Sequence, residues 1–454
     1  MSESEDYNLR PPIPKNWRIM PLASVSIGGA HNGYFKKPEL VGAGYKLINV
    51  SELYQSFGID TDHAKVERVR ASIVDYSRYG VHDGDIFFTR SSLVLSGIAA
   101  CNVLRKVKEP TLFECHVMRI VPDRKQVDSD FVAYCCRDSF SRSYLMSRAK
   151  QTTMTTISQP EIEQLPIPVP PLPQQRKIAR ILTTLDNVIT QTEALIAKYQ
   201  AIKQGLMHDL FTRGVDATGK LRPPQSEAPE LYKRLGSRFI PTVWQIASLS
   251  EFANVSGGVT LGREISGTGV VSLPYLRVAN VQDGYVDLSE IKTVDILKSE
   301  IDRYALCPGD VLMTEGGDFD KLGRGTVWKG QISPCLHQNH VFRVRPLSAV
   351  LNSDYLSHLT ASAYGRNYFL MCAKQTTNLA SINATQVKAF PLILPSIEEQ
   401  FAIVGHISAI DNMLTAERLR IHKARSTKTG LMQDLLTGKV PVKADEVEEV
   451  TVNA

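Results

Sequence analysis

The chain has 454 residues, 43% of them hydrophobic and 22% charged, with a formal net charge of +5. That length excludes a single core and asks for about two to four domains, while the composition excludes a fibrous or low-complexity chain. Seven cysteines without a C-x-x-C pair exclude a disulfide framework, and no apolar run approaches the ~18 residues of a membrane span. The N-terminus is acidic and polar, unlike a signal peptide, so the expectation is a cytoplasmic protein with reduced thiols and no membrane contact. The mild positive charge suits a nucleic-acid partner without demanding one.

Residues 1–12 read as disordered. Ile13-Pro14-Lys15-Asn16-Trp17 then opens a first globular domain, 13–157. Strand-like runs at 46–50, 85–89 and 115–121 are short, β-branched or aromatic, and bounded by Gly, Pro and Asp. Segments 130–137 and 140–149 read as helices, which makes this a mixed α/β domain of ordinary size. Gly42-Ala43-Gly44 lacks a following strand-to-helix unit and reads as a turn, not a cofactor loop.

A helical region covers 158–213. Its entry, 164–173, is proline-rich and must be extended, because proline fixes φ and disfavours helix before it. A long helix follows from Gln174. Ile178, Leu182, Leu185, Ile189, Thr192, Ile196, Tyr199, Lys203, Leu206 and Leu210 recur in alternating steps of four and three, the spacing of a coiled-coil seam. At 1.5 Å per residue such a helix is a rod of roughly 55 Å. Residues 214–238, with Gly219, Pro223-Pro224 and Pro229, have linker composition.

The chain then repeats itself. Ile240-Pro241-Thr242-Val243-Trp244 opens a second domain, 239–382, and a second helical region spans 383–440, with its helix at about 398–436. Leu206-Met207-His208-Asp209-Leu210-Phe211-Thr212 returns about 225 residues later as Leu431-Met432-Gln433-Asp434-Leu435-Leu436-Thr437. Asp186-Asn187 returns as Asp411-Asn412, and Lys203-x-Gly205 as Lys428-x-Gly430. The tail covers 441–454, and its acidic stretch from 445 to 449 reads as disordered. The fold expected is α+β: two mixed α/β domains separated by two long helices. Neither helix can bury its stripe alone, so the two are expected to form an antiparallel coiled coil about a pseudo-two-fold axis. The plainer arrangement packs each helix on its own domain.

Within the domains the repeat is patchy. Gly84-Asp85-Ile86-Phe87-Phe88-Thr89 matches Gly309-Asp310-Val311-Leu312-Met313-Thr314, and Ala149-Lys150-Gln151-Thr152-Thr153 matches Ala373-Lys374-Gln375-Thr376-Thr377. Frame shared and surface diverged is the pattern expected of two readers of different things. These features, with the helix ends, the Gly214-Val215-Asp216-Ala217-Thr218-Gly219 linker and the Pro-x-x-x-Pro entries before Gln175 and Gln400, resemble the specificity subunits of type I restriction-modification systems. The resemblance runs through nearly the whole chain. It implies two target-recognition domains, each reading half of a split, asymmetric sequence in double-stranded DNA. It also implies helices that bind two modification subunits. Those subunits methylate adenine and bring S-adenosylmethionine, so no cofactor or metal is expected in this chain. Restriction subunits, ATP-dependent translocase-nucleases, join such an assembly.

The residues themselves suggest where DNA is touched. Lys150, Gln151, Thr152 and Thr153, and their matches Lys374, Gln375, Thr376 and Thr377, combine a phosphate-neutralising cation, hydroxyls for phosphate oxygens and an amide that can pair with adenine. Their presence in both halves favours backbone contact. After the Gly-Asp strands the halves differ: Arg90, Ser91 and Ser92 stand against Glu315, Gly316 and Gly317. Arg90 can fork to guanine and Glu315 can accept from cytosine. Arg277 with Asn280, and Lys321 with Arg324 in a Gly-rich loop, are weaker candidates of the same kind. For each, ordinary surface charge or a capping loop is the plain alternative. Asp310, Glu315 and Lys321 lack the spacing of a nuclease site, and Cys335, His337 and His340 lack a regular fourth zinc ligand. The rival readings are a stand-alone DNA methyltransferase or nuclease, and a coiled-coil adaptor that binds no nucleic acid.

Overall fold

The computed structural model describes residues 13–62, 66–151, 153–263, 265, 269–317, 322–323, 325–375 and 380–443. The segments expected to be disordered, 1–12 and 445–449, lie outside them. The fold is mixed α+β in two compact units, Met1–Leu195 with Glu417–Ala454, and Ile196–Ala416. Each unit holds one globular domain, the start of that domain's own long helix and the end of the other.

In the first unit a five-stranded sheet runs in the order Ser26–Asn32, Val117–Pro122, Ile86–Thr89, Cys101–Lys106, Ile59–Asp60. Its central strand is buried at all four residues, the signature of a strand covered on both faces. The two-residue period decides which side each residue feeds. Ile86 and Phe88 enter the large core with Phe131, Val132 and Cys136, while Phe87 enters a smaller one with Ile48 and Phe113. The second unit repeats this frame in a four-stranded sheet, Ala253–Ser256, Val341–Pro346, Val311–Thr314, Gly325–Val327.

The helix pair that follows is Ser129–Arg137 and Ser139–Arg148, within a residue or two of the sequence expectation. Asp128 accepts the Phe131 amide at 3.0 Å and Asp138 that of Ser141 at 2.6 Å, caps worth about 1 kcal/mol each. Asn352 and Ser362 cap Ser353–Ala361 and Ala363–Cys372 in the same way. The strand expected at 46–50 ends earlier, at Ile48. The Asn49 amide donates to the Glu52 carboxylate at 2.7 Å and starts a short helix, Val50–Leu53, so local capping overrides the β-propensity of Val50.

The proline-rich entry forms an extended strand, Pro166–Val169, antiparallel to Arg18–Pro21. Its counterpart Pro391–Leu394 pairs with Gln245–Ser248. The long helices are Leu172–Leu210 and Ile397–Leu435, of 39 residues each. The first starts two residues before the expected Gln174. Pro173 therefore sits in its first turn, where the missing N–H costs nothing.

One buried glutamine ties each helix to its domain. Gln175 donates to the carbonyls of Pro170 (2.8 Å) and Gln126 (3.2 Å) and accepts the Asp128 amide (2.9 Å). Gln400 does the same with Pro395 (3.0 Å), Val350 (2.9 Å) and the Asn352 amide (2.9 Å).

The repeated helix ends have a packing reason. Leu435 and Leu436 are buried in the first core beside Trp17, Ile178 and Leu182. Leu210 and Phe211 are buried in the second beside Trp244, Ile403 and Ile407. Gly214 and Gly438 follow at φ +64° and +70°, and a Cβ on either would press on Trp244 or Trp17. Glycine is required there both by the left-handed conformation and by the close approach of an indole. The linker after Gly214 is ordered: Arg222 grips Glu399 through two hydrogen bonds, 2.5 and 3.0 Å, and the Val215 amide donates to the same carboxylate at 3.0 Å.

Candidate nucleic-acid interface

The repeated Gly-Asp pair is a turn. Gly84 and Gly309 have φ +87° and +94°, and the following carboxylates accept the amides of His82 (3.0 Å) and Cys307 (2.7 Å). Asp310 is buried and held by Arg345 at 2.6 and 2.8 Å, which occupies the carboxylate that a nuclease metal would need. Asp85 is buried near Arg119, and desolvation raises its carboxyl above the usual range.

Beyond this turn the central strand leaves the core and joins a small three-stranded sheet. In the first unit Ser91 lies opposite Thr156, and Thr156 opposite Lys150; Ser92, Thr155 and Gln151 form the next row. Arg90, Lys150, Gln151 and Thr153 are exposed, whereas Ser91 and Ser92 are buried. The Ser91 hydroxyl lies 2.5 Å from His116 Nδ1, and Ser92 Oγ accepts the Val94 amide at 3.3 Å. The serines therefore brace the sheet while the cations face water. A cleft of about 530 Å³ opens beside them, lined by Arg90, Ser91, His116, Lys150, Thr156 and Glu161. Thr152 lies outside the described residues.

The second unit carries the same frame with other side chains. The amides of Arg90 and Glu315 donate to the carbonyls of His116 (2.8 Å) and His340 (3.0 Å). The carbonyls of Arg90 and Glu315 accept the amides of Ile157 (3.1 Å) and Ile382 (2.8 Å). Arg90 and Glu315 are thus equivalent positions, as the sequence alignment had them. Glu315 is already hydrogen-bonded to His340 Nδ1, so accepting from a base means sharing or exchanging that partner. Gly316 pairs with Ser381, which pairs with exposed Lys374. Gln375 continues that strand. Lys321, Arg324, Thr376 and Thr377 lie outside the described residues.

Arg277 and Asn280 serve a different purpose. Asn280 is buried, accepts the Arg277 amide at 2.9 Å, and donates to the carbonyls of Asp287 (2.9 Å) and Glu290 (3.0 Å). Arg277 donates to the Glu290 carbonyl at 3.1 Å. These bonds shape the loop after Val270–Leu276, and they leave the Asn280 amide nothing for a base edge.

The two equivalent histidines, His116 and His340, were not singled out by sequence as partners of Ser91 and Glu315. Their role depends on strand register across 25 residues, which no local pattern carries. Another grouping was also invisible: a carboxylate oxygen of Glu114, Cys115 Sγ and a ring nitrogen of His116 lie within 4.8 Å of one another. The Glu114 carboxylate is engaged there by the His116 amide at 3.0 Å, which closes a turn. Cys335 and His337, weighed above for zinc, are both buried, and His337 Nδ1 is bonded to the Val341 carbonyl at 2.7 Å.

Two α+β domains built on one frame, each with an exposed lysine beside a divergent strand end, define a repeated scaffold. The chain belongs to the family described as the type I restriction modification DNA specificity domain, which it matches twice, over residues 14–204 and 241–423. It is 26% identical over 333 residues to the type I restriction enzyme EcoKI specificity subunit of Escherichia coli K12, covering 71% of this chain and 66% of that one. It is 27% identical over 227 residues to the putative type I restriction enzyme MjaX specificity subunit of Methanocaldococcus jannaschii, covering 49% of this chain and 53% of that one. The matches thus span between half and two thirds of these curated relatives. The solved S subunit of a type I restriction-modification system from M. genitalium shares the fold, with TM-score 0.57 at 14% identity, over 94% of this chain and 97% of that one. No described helix is long and apolar enough to cross a membrane.

Proposed function

We propose that this chain is the DNA-reading subunit of a type I restriction-modification complex. Each domain reads one half of a bipartite, asymmetric target in double-stranded DNA. The observation that carries this is one backbone frame bearing different side chains: Arg90 where the other copy has Glu315, and Ser91-Ser92 where it has Gly316-Gly317. A shared frame places two readers alike, and divergent tips make them read different bases. Lys150 and Lys374 are the backbone-contacting cations, and Gln151, Thr152, Thr153, Gln375, Thr376 and Thr377, next to them in sequence, contact the backbone with them.

The long helices pair antiparallel and bind two modification subunits, which hold S-adenosylmethionine. Restriction subunits complete the nuclease. Two ion pairs support the pairing. Lys428 reaches Asp186 at 2.6 Å in the first unit, and Lys203 reaches Asp411 at 2.6 Å in the second. The repeat exchanges one pair for the other, as a pseudo-two-fold axis requires. The chain itself is not the catalyst.

Methylome sequencing of the source cells with and without this gene tests the reading. A two-part adenine-methylation motif with an unspecified spacer is expected to vanish on deletion. Persistence of every motif, or methylation by the isolated chain supplied with S-adenosylmethionine, overturns it.

A further inference from the structure

After Ser92 the first domain presents two apolar residues to water: Leu93 is 84% exposed and Val94 59%. A single exposed leucine is ordinary. This pair is followed by a braced turn. The Tyr54 hydroxyl donates to the Gly97 carbonyl at 2.9 Å, and Arg142 donates to the carbonyls of Ile98 (2.7 Å) and Ser96 (2.9 Å). Ala99, at φ +50°, is the one non-glycine residue in the left-handed region among the described residues. It is locked by its amide donating to Thr89 at 2.9 Å. Strain of this kind persists only where the surroundings over-determine it, and it concentrates at ligand-contacting loops. These bonds brace residues 96–99, and Leu93 and Val94 lie exposed at the start of that turn.

The sheet register says what lies beside it. Ser92, Thr155 and Gln151 form the last row, so Leu93 continues past them on the side of Met154. Exposed Lys150 and Gln151 lie in that sheet, and exposed Arg90 and Thr153 flank it in the chain. An apolar tip among phosphate-seeking cations is complementary to duplex DNA. The apolar group that base pairs offer in the major groove is the thymine 5-methyl.

We infer that Leu93 and Val94 contact the 5-methyl of a thymine in the half-site read by the first domain. This rests on the DNA-reading function proposed above and names a specificity determinant within it. The second copy has Gly317-Asp318 where the first has Ser92-Leu93, so the contact belongs to one half-site only.

The test uses the complex isolated from source cells through this chain, wild type and L93S/V94S, on duplexes carrying the motif found by methylome sequencing. Each thymine of the first half-site is replaced in turn by deoxyuridine, which removes only the methyl. Wild-type affinity is expected to fall about fourfold at one thymine, the worth of a buried methyl-sized group. The double variant is expected to bind the thymine duplex more weakly and to be indifferent to the replacement. A half-site without thymine, unchanged wild-type affinity on every deoxyuridine duplex, or equal sensitivity of the variant overturns the inference while leaving the bipartite motif intact. Absence of any bipartite motif overturns the DNA-reading function itself.

Discussion

Buried polar side chains in this protein act mainly as fasteners. Gln175 makes three hydrogen bonds at the point where its helix leaves the domain, and truncating it deprives the half-buried Asp128 amide and the Pro170 and Gln126 carbonyls of their partner. Gln175→Ala is expected to cost about 1–3 kcal/mol, read as a lower denaturant midpoint with an unchanged slope. His337 is a second case. Burial pushes it down to about 4, against the opposing pull of the Val341 carbonyl. Its folded value lies below its unfolded value near 6.5, so the unfolded chain binds the extra proton between those limits. The contribution is intact above pH 6.5 and lost as pH falls toward 4, by up to about 3 kcal/mol. Thermal unfolding followed from pH 7 to 4 is expected to show this slope in wild type and a flatter one in His337→Gln. Parallel slopes in the two proteins would remove His337 from the account.

At the scale of elements, the helix ends matter most. Leu435 lies far from residue 17 in sequence, yet it completes the first core with Trp17, Leu182 and Leu436. Leu435→Ala is expected to destabilise by about 2–5 kcal/mol, the cost of a buried leucine and the cavity it leaves. The loss is expected in the first unit. Hydrogen exchange is expected to quicken in the central strand Ile86–Thr89 and the helix Ser129–Arg137, while Val311–Thr314 stays protected. Faster exchange confined to the helix end itself would show that Leu435 is a peripheral staple.

For the molecule as a whole, the two units predict modular reading. Exchanging residues 13–157 for the corresponding domain of a relative is expected to change one half-site and spare the other, by methylome sequencing of cells carrying the chimera. The packing adds a condition. The incoming domain must accept Leu435 and Leu436 and supply the backbone groups that Gln175 binds, or the chimera will be unstable before its specificity is measured. A stable chimera that alters both half-sites would count against independent readers.

The amino-acid sequence by itself determined what is local or periodic. The seam spacing set the long helices to within two residues of their ends, and the 225-residue echo set one unit written twice. Such features depend on neighbours within a few residues, or on comparing the chain with itself. Tertiary structure decided which reading residues face outward. It buried Ser91 and Ser92, committed Asn280 to a loop, set His340 on Glu315, and left Leu93 projecting. It also assigned Leu435 to the first core. Those outcomes follow from strand register and from contacts between residues far apart in the chain, and side-chain burial is a property of such contacts, not of residue type.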